Sequence, residues 1–417
     1  MIRTSHPYGL LVALALGCRV ALAAAVTVVY PTGEYPEDVN NVQAAVAAGG
    51  TVLLKAVNQA GEPTSFNFLL RSESTPGPAP SGVNLDVDVR LIGESSGRHT
   101  TTILGGIAPL RGSQSVRRHI EGIRFDRPAD DAMLFTASSD LEIVRNRIEN
   151  VITRQFSANP ADSQTDGIDI YNRVSGLTSI TGRIRIADNV ISIPAGPYIN
   201  GVQLDTVGAD VVIEGNRFDL ASPDHGCEVF CGGVQAGLVG GRVDIRHNFV
   251  AIAEGAPNDV ATGVAVGGFS SARFVVSEND ITFRCAFCDG IEIQGNASFG
   301  EAVTHASVRN NVLRSIGPQA GSQAAMASFF GDVSDSSMND NTFIGNAAVG
   351  MQSEWLNDPT TEFETNNVMR GNDFRRLSSS MSDVYLDTTS VHTTGLNECA
   401  TVTDLGTDDH VVCKRSQ

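Results

Sequence analysis

Eight times along this chain an asparagine stands in the same setting, apolar-x-x-Asn-x-apolar. The series begins at Ile143-Val-Arg-Asn146-Arg-Ile148 and continues at Asn189, Asn216, Asn248, Asn279, Asn311, Asn341 and Asn372. Successive spacings are 43, 27, 32, 31, 32, 30 and 31 residues. A second pattern interleaves with it: a small residue followed by alternating apolar positions, as in Gly167-Ile-Asp-Ile170, Gly201-Val-Gln-Leu204, Gly233-Val-Gln-Ala236 and Gly290-Ile-Glu-Ile293. Each unit therefore holds three short strands and one Asn. A single unit cannot bury its apolar side, but a stack of them makes a continuous core and pairs each strand with its copies above and below. The predicted fold is all-β, a single-stranded parallel β-helix of about 10–12 rungs. The Asn is expected at a tight bend, taking left-handed dihedrals and hydrogen-bonding to its copies along the stack.

These repeats resemble the right-handed parallel β-helix of the pectate-lyase-like superfamily, over roughly residues 50–415. The resemblance implies a fold and no single activity, because that fold hosts lyases, hydrolases, epimerases, adhesins and tailspikes. It also implies a plug at the N-terminal end. Residues 34–48 supply a candidate: Glu37 and Asp38 in a first turn, Val39, Val42 and Val46 on one face, and Gly49-Gly50 as the stop. Ile123 occupies the Asn slot of a first full rung, residues 72–82 form a Pro/Ser/Gly-rich insertion, and Gly406–Val411 is a degenerate last rung.

A length of 417 residues would ordinarily suggest two or three domains. A solenoid lengthens without splitting. The expected organisation is a signal peptide at 1–25, an N-terminal segment with capping helix at 26–50, and one β-helix domain at 51–417. The signal reading rests on Arg3, the apolar run Leu10–Leu16 and the small-x-small Ala21-Leu22-Ala23. That run is too short to span a membrane, and no later one is longer. The expected location is secreted or periplasmic. Six cysteines follow the signal, paired by proximity as Cys227/Cys231, Cys285/Cys288 and Cys399/Cys413. Export favours three local disulfides, with a zinc site or a redox Cys-x-x-Cys as the alternatives.

The formal charge of −18 excludes a non-specific nucleic-acid binder. With lysine present only at 55 and 414, lysine-centred catalysis has almost no candidates. In enzymes of the resembled fold the substrate lies along one strand's outer face and the loops beside it. The corresponding outward positions here are Asp169, Gln203, Gln235, Ala265, Glu292, Ala327, Gln352 and Tyr385. Two places on come Tyr171, Asp205, Gly237, Gly267, Gln294 and Phe329. Carboxylates and amides on such a face suit a glycan, and Tyr171 and Tyr198 are the best-placed stacking rings, with Phe156, Phe230 and Trp355 as others. A solvated strand face carries the same residue types.

Thr165-Asp166-Gly167 resembles the Asn-Thr-Asp segment of polygalacturonase-like hydrolases, which implies a catalytic role for Asp166. The chain departs from that family at Ile199-Asn200, where paired aspartates are expected, and has neither Gly-His-Gly nor Arg-Ile-Lys. Asp289 shares the strand-start slot of Asp166, so an ordinary turn residue is the competing reading. Asp169 and Asp205 belong on neighbouring rungs two residues offset, on the order of 8 Å apart, within the roughly 6.5–9.5 Å window of an inverting acid/base pair. The same carboxylates suit Ca²⁺, which also offsets the repulsion between an acidic protein and a polyuronate. For a lyase, Arg173, Arg183 and the loop pair Asp224-His225 are the nearby groups. Two functions compete. One is a lyase or glycoside hydrolase of an extracellular polysaccharide using Asp166, Asp169, Asp205 and Glu292, with Tyr171, Tyr198, Gln203, Gln235 and Gln294 binding substrate. The other is a non-catalytic glycan-binding or surface β-helix.

Overall fold

The computed structural model describes residues 26–69, 82–96, 98–152, 164–171, 180–194, 196–221, 227–253, 260–268, 273–284, 287–295, 302–316, 325–354, 366–387, 392–404 and 410–413. The predicted signal segment, most of the 72–82 insertion and residues 406–409 lie outside them.

Period-2 alternation in short β-branched segments makes strands, and near-constant unit length brings each strand beside its copy. The result is a right-handed parallel β-helix. One strand from each rung builds a 12-stranded sheet, within the expected range of rungs. The other two strands of each rung belong to a 21-stranded sheet. They run together near the C-terminal end, in Thr342–Glu354 and Asp373–Asp387. Register keeps like over like. Ile143, Ile186, Ile213, Ile245, Val276, Val308, Met338 and Met369 form one buried column of the first sheet. A narrow core filled this way needs branched aliphatics more than rings.

The asparagines form the expected ladder, but not by the expected backbone. Left-handed dihedrals fall on the residue before each Asn: Arg145, Asp188, His247, Glu278, Asn310 and Asp340 have φ of 54–58°. Gly215 and Gly371 fill the same place in their rungs. The Asn follows the bend with its amide turned inward. Asn248 is representative. Its Oδ1 accepts the N–H and the Nδ2–H of Asn216, both at 3.0 Å. Its Nδ2 donates to Ile213 O at 2.9 Å and to Asn279 Oδ1 at 3.0 Å. The bend would otherwise bury backbone groups without partners, and the amide supplies them. Asn397 adds a ninth member, accepting from Asn372. At the other end Ile123 fills the slot and donates its N–H to Asn146 Oδ1.

A second ladder was not foreseen. At the start of the first sheet, Asp88, Asp140 and Asp210 each accept the backbone N–H of an arginine one rung on. The partners are Arg117, Arg183 and Arg242, at 2.9–3.0 Å.

The glycines that open the third strand stack as well, at Gly167, Gly201, Gly233, Gly263 and Gly290. A Cβ at Gly233 would stand 2.3 Å from Gly263 O and 2.7 Å from a Val250 methyl. Close approach of backbone to core therefore fixes glycine there. Gly233→Ala is expected to lower stability by about 3 kcal/mol or more through overpacking. Gly237→Ala, where the added carbon meets nothing within 4 Å, is the control and should leave the thermal midpoint unchanged.

The capping helix spans Glu37–Ala47, with Val42 and Val46 fully buried. Buried Asp38 anchors it by accepting from the N–H and hydroxyl of Thr32 and the N–H groups of Gly33 and Asn67. The solenoid starts before this helix: Val26–Val29 already pairs with Gly50–Leu54 in the first sheet. At the far end Cys399 and Cys413 are joined. Cys231 is also disulfide-bonded; the side chains of Cys227, Cys285 and Cys288 lie outside the described residues. Among the described residues no helix is long and apolar enough to cross a membrane.

Candidate functional site

The outward column predicted from alternation is present over most of its length. Leu134, Asp169, Gln203, Gln235, Ala265 and Glu292 follow one another in register. The next member is Ser328, not Ala327: Ser328, itself buried, pairs with Glu292 and with Gln352, and Ala327 and Phe329 join the hydrophobic core. The cause is local. Met326 takes the glycine position in that rung, which moves the alternation by one residue.

Three aspartates converge on the lower rungs. Asp131, Asp166 and Asp169 each place a carboxylate oxygen within 4.8 Å of the others, and all three are buried. Among the described residues this is the one such group. Asp131 precedes the strand Met133–Phe135 by two residues, as Asp166 precedes Ile168, and Met133 pairs with Ile168. Stacking therefore sets Asp131 directly beneath Asp166, and Asp131 Oδ1 accepts the Asp166 N–H at 3.0 Å. The strand-start slot continues through Asn200, Gly232 and Thr262 to Asp289. Asp289 Oδ1 accepts the N–H of Ala325 on the next rung, so for Asp131 and Asp289 this slot has a backbone role. Asp166 differs. Its two oxygens accept from the side-chain amides of Asn200, at 2.9 Å, and Gln164, at 3.0 Å.

Electrostatics follow from crowding and burial. Burial is the largest cause pushing the Asp166 carboxyl up to about 7, against the hydrogen bonds from Asn200 and Gln164 and with help from Asp130. Asp131 lies well above the ordinary carboxylate range, raised by burial and then by the charges of Asp166, Asp130 and Asp169. Neighbouring carboxylates that cannot all ionise hold a proton between them. Asn200 also donates to Gln203 Oε1 at 3.2 Å. Its own Oδ1 has no hydrogen-bond partner among the described residues. That oxygen points toward Gly232, where a Cβ would stand only 2.3 Å away.

Asp205 pairs with Tyr171, two residues beyond Gln203, the partner of Asp169. The one-strand, two-residue offset predicted for Asp169 and Asp205 is thus the observed register. Asp205, Tyr171 and Gln203 are half-buried, less covered than the trio itself. Tyr198 is half-buried beside Gln164 and Phe230 in register. Glu292 stands apart, four rungs above Asp169, or about 19 Å at 4.8 Å per strand. With Gln235, Gln294, Gly237 and Gly267 it lines a separate pit of about 120 Å³. Burial raises its carboxyl. Arg183 lies on the outer face of the first sheet and not beside Asp169. Arg173, Asp224, His225, Phe156 and Trp355 lie outside the described residues.

Asp131 is the member that sequence reasoning missed. The signal was there: Asp130-Asp131 precedes Met133-Leu-Phe135 as Asp166 precedes Ile168-Asp-Ile170. Its rung carries Ile123 where the repeat expects Asn, which hid the alignment.

The trio's oxygens could also hold a hard cation. Ca²⁺ takes six to eight oxygen ligands, and Asp131, Asp166 and Asp169 with the Gln203 amide oxygen supply the start of such a set.

No family model matches the chain, and no curated protein matches it. Among the solved structures similar to it are these three. The A-module of the Azotobacter vinelandii mannuronan C-5 epimerase AlgE6 shares 12% identity over 91% of this chain and 96% of that one, with a TM-score of 0.33. The alginate lyase AlyF-OU02, in complex with G6, shares 12% identity over 93% and 86% of the two chains, at 0.40. The DFA-IIIase of Arthrobacter chlorophenolicus A6, in complex with GF2, shares 13% identity over 88% and 93%, at 0.39.

Proposed function

We propose that this protein is an exported enzyme that hydrolyses an extracellular polysaccharide along the outer face of the third strand. The observation that carries the reading is the buried trio Asp131, Asp166 and Asp169, within 4.8 Å of one another and with the Asp166 carboxyl up at about 7. A general acid must keep its proton at working pH, and burial with like charges supplies that. Asp169 is the outward member and borders Gln203, so it gives the shared proton to the leaving oxygen. Asp166 and Asp131 lie behind it as the proton store. Asp205, on the order of 8 Å away by register, takes a proton from the attacking water, the spacing of an inverting pair. Tyr171 and Tyr198 offer ring faces to the sugar, and Gln203, Gln235 and Gln294 offer amides. The pit at Glu292 is a subsite farther along the chain.

A polysaccharide panel tests this, with reducing ends measured in Ca²⁺ and in chelator. Release of reducing ends from one substrate, lost in Asp169→Asn, is the expected result. Unsaturated products absorbing in the ultraviolet would replace hydrolysis with elimination. Binding without any product would leave the second function, a glycan-binding β-helix; calcium-dependent binding would then make the trio a cation site.

A further inference from the structure

The first sheet has its own cleft, on a face that the catalytic reading does not use. It encloses about 510 Å³ and is lined by Arg90, Arg117, His119, Arg183 and Arg185 against Asp88, Asp140 and Glu142, while the Arg118 guanidinium turns inward beneath it. In a chain of net charge −18 this excess of cation is the exception. The middle of the cleft is self-neutralised. Arg117 pairs with Asp88 at 2.7 Å, His119 has Glu121 and Glu142 at 2.7 Å on its two ring nitrogens, and Arg185 bridges Glu142 and Glu214 at 2.9 Å. Arg118 is buried and holds three backbone carbonyls.

The two ends differ from the middle. Arg90 and Arg183 are exposed and neither makes an ion pair within 4 Å among the described residues, with Asp140 and Asp210 flanking Arg183 in register on the neighbouring rungs. Asp140 accepts the backbone N–H of Arg183 and not its side chain. Arg90 pairs in register with His119, His119 with Glu142 and Glu142 with Arg185, so Arg183 lies three rungs from Arg90 and two residues along. The two free cations are therefore on the order of 15 Å apart.

The geometry points to a binding site for a linear acidic oligosaccharide, one that sets an anionic group on Arg90 and another on Arg183. Guanidinium forks suit carboxylates and sulfate esters alike. Beyond a Debye length of about 8 Å in physiological salt, the rest of the protein's negative charge is screened, so the local arginines decide. The sugar class rests on the function proposed above; the anion class rests on the arginines alone.

Calorimetric titration of the full chain tests the site, with a hexauronate, a sulfated hexasaccharide, the carboxyl-reduced neutral hexasaccharide and sodium sulfate as probes. At least one acidic hexasaccharide should bind, at least tenfold more weakly in 0.5 M salt and at least tenfold more weakly to Arg90→Gln/Arg183→Gln. The hexauronate and sulfated arms tell which anion is preferred. Asp169→Asn should keep this binding, which separates failure of the site from failure of the catalytic reading. Circular dichroism and an unchanged thermal midpoint verify the arginine variant. Equal binding of the neutral sugar, sulfate binding as tightly as the oligomers, undiminished binding in the double variant, or no binding of either acidic probe would each overturn the assignment.

Discussion

Asp169→Asn lowers turnover of the polysaccharide at least a hundredfold, within the roughly 10²–10⁴ that general acid–base groups supply. An amide keeps the shape of the carboxylate and cannot pass on a proton. Asp205→Asn should fall in the same range, because it removes the base from the water's side. The pH profile then identifies the proton store. Activity of the unaltered protein falls as pH rises past about 7, where Asp166 ionises. Asp166→Asn moves that limb away from about 7, because Asp169 and Asp131 then hold the proton without it.

The same variant moves stability the other way. Asp166 has a folded-state value of about 7 against an ordinary 3.8. Between those values the folded state holds a proton that the unfolded chain has released, so stability falls as pH rises from about 4 to about 7. Asp131 acts with the same sign. Asp166→Asn abolishes its part of this decline and raises stability at pH 8 by about 1–4 kcal/mol. Urea unfolding at pH 5 and pH 8 checks both statements. A variant equally destabilised at both pH values would mean that the carboxylate is structural.

Asn248→Ala is expected to cost about 4 kcal/mol. It deletes four hydrogen bonds at once and takes the side-chain partner from the buried Asn216 N–H and from Ile213 O, while Asn216 Nδ2 keeps Ile186 O and Glu214 O. Each buried polar group left unsatisfied costs about 1–3 kcal/mol. A solenoid unfolds through neighbouring rungs and not always as a whole. Amide exchange at Asn216 is therefore the sharper measurement: its protection should collapse, while protection near Val52 and Leu91 changes little. Uniform loss across all rungs would show that the stack opens as one unit.

Much of this architecture was readable because a repeat writes each contact many times. Eight asparagines at steady spacing specify a ladder even when the bend residue is misassigned. The misassignment itself is instructive. Arg145, His247 and Glu278 take left-handed dihedrals at the cost that β-carbons impose, and the Asn that follows satisfies the bend's polar groups. Identity at the bend is therefore free, while identity one residue later is not. Glu292 and Asp169 share a column and so looked alike in sequence, yet four rungs part them. Asp131 and the Asp/Arg ladder were missed for the opposite reason. Each depends on which residue lies one rung away, and that needs the register, which irregular early rungs conceal.

The spacing of the Asn ladder has a bearing on where this molecule can acquire a speciality. Most steps between ladder members span 30–32 residues. The step from Asn146 to Asn189 spans 43, a surplus of about a dozen over the fixed requirement of one turn of the coil. That oversized turn is the one that contributes Asp166 and Asp169. Three strands and one amide satisfy the scaffold, so a turn of about 31 residues is enough to close the coil. A grafting trial follows: exchanging this whole turn, the strand Gln164–Tyr171 included, for a 31-residue turn should yield a well-folded coil that has lost Asp166 and Asp169 and with them its chemistry.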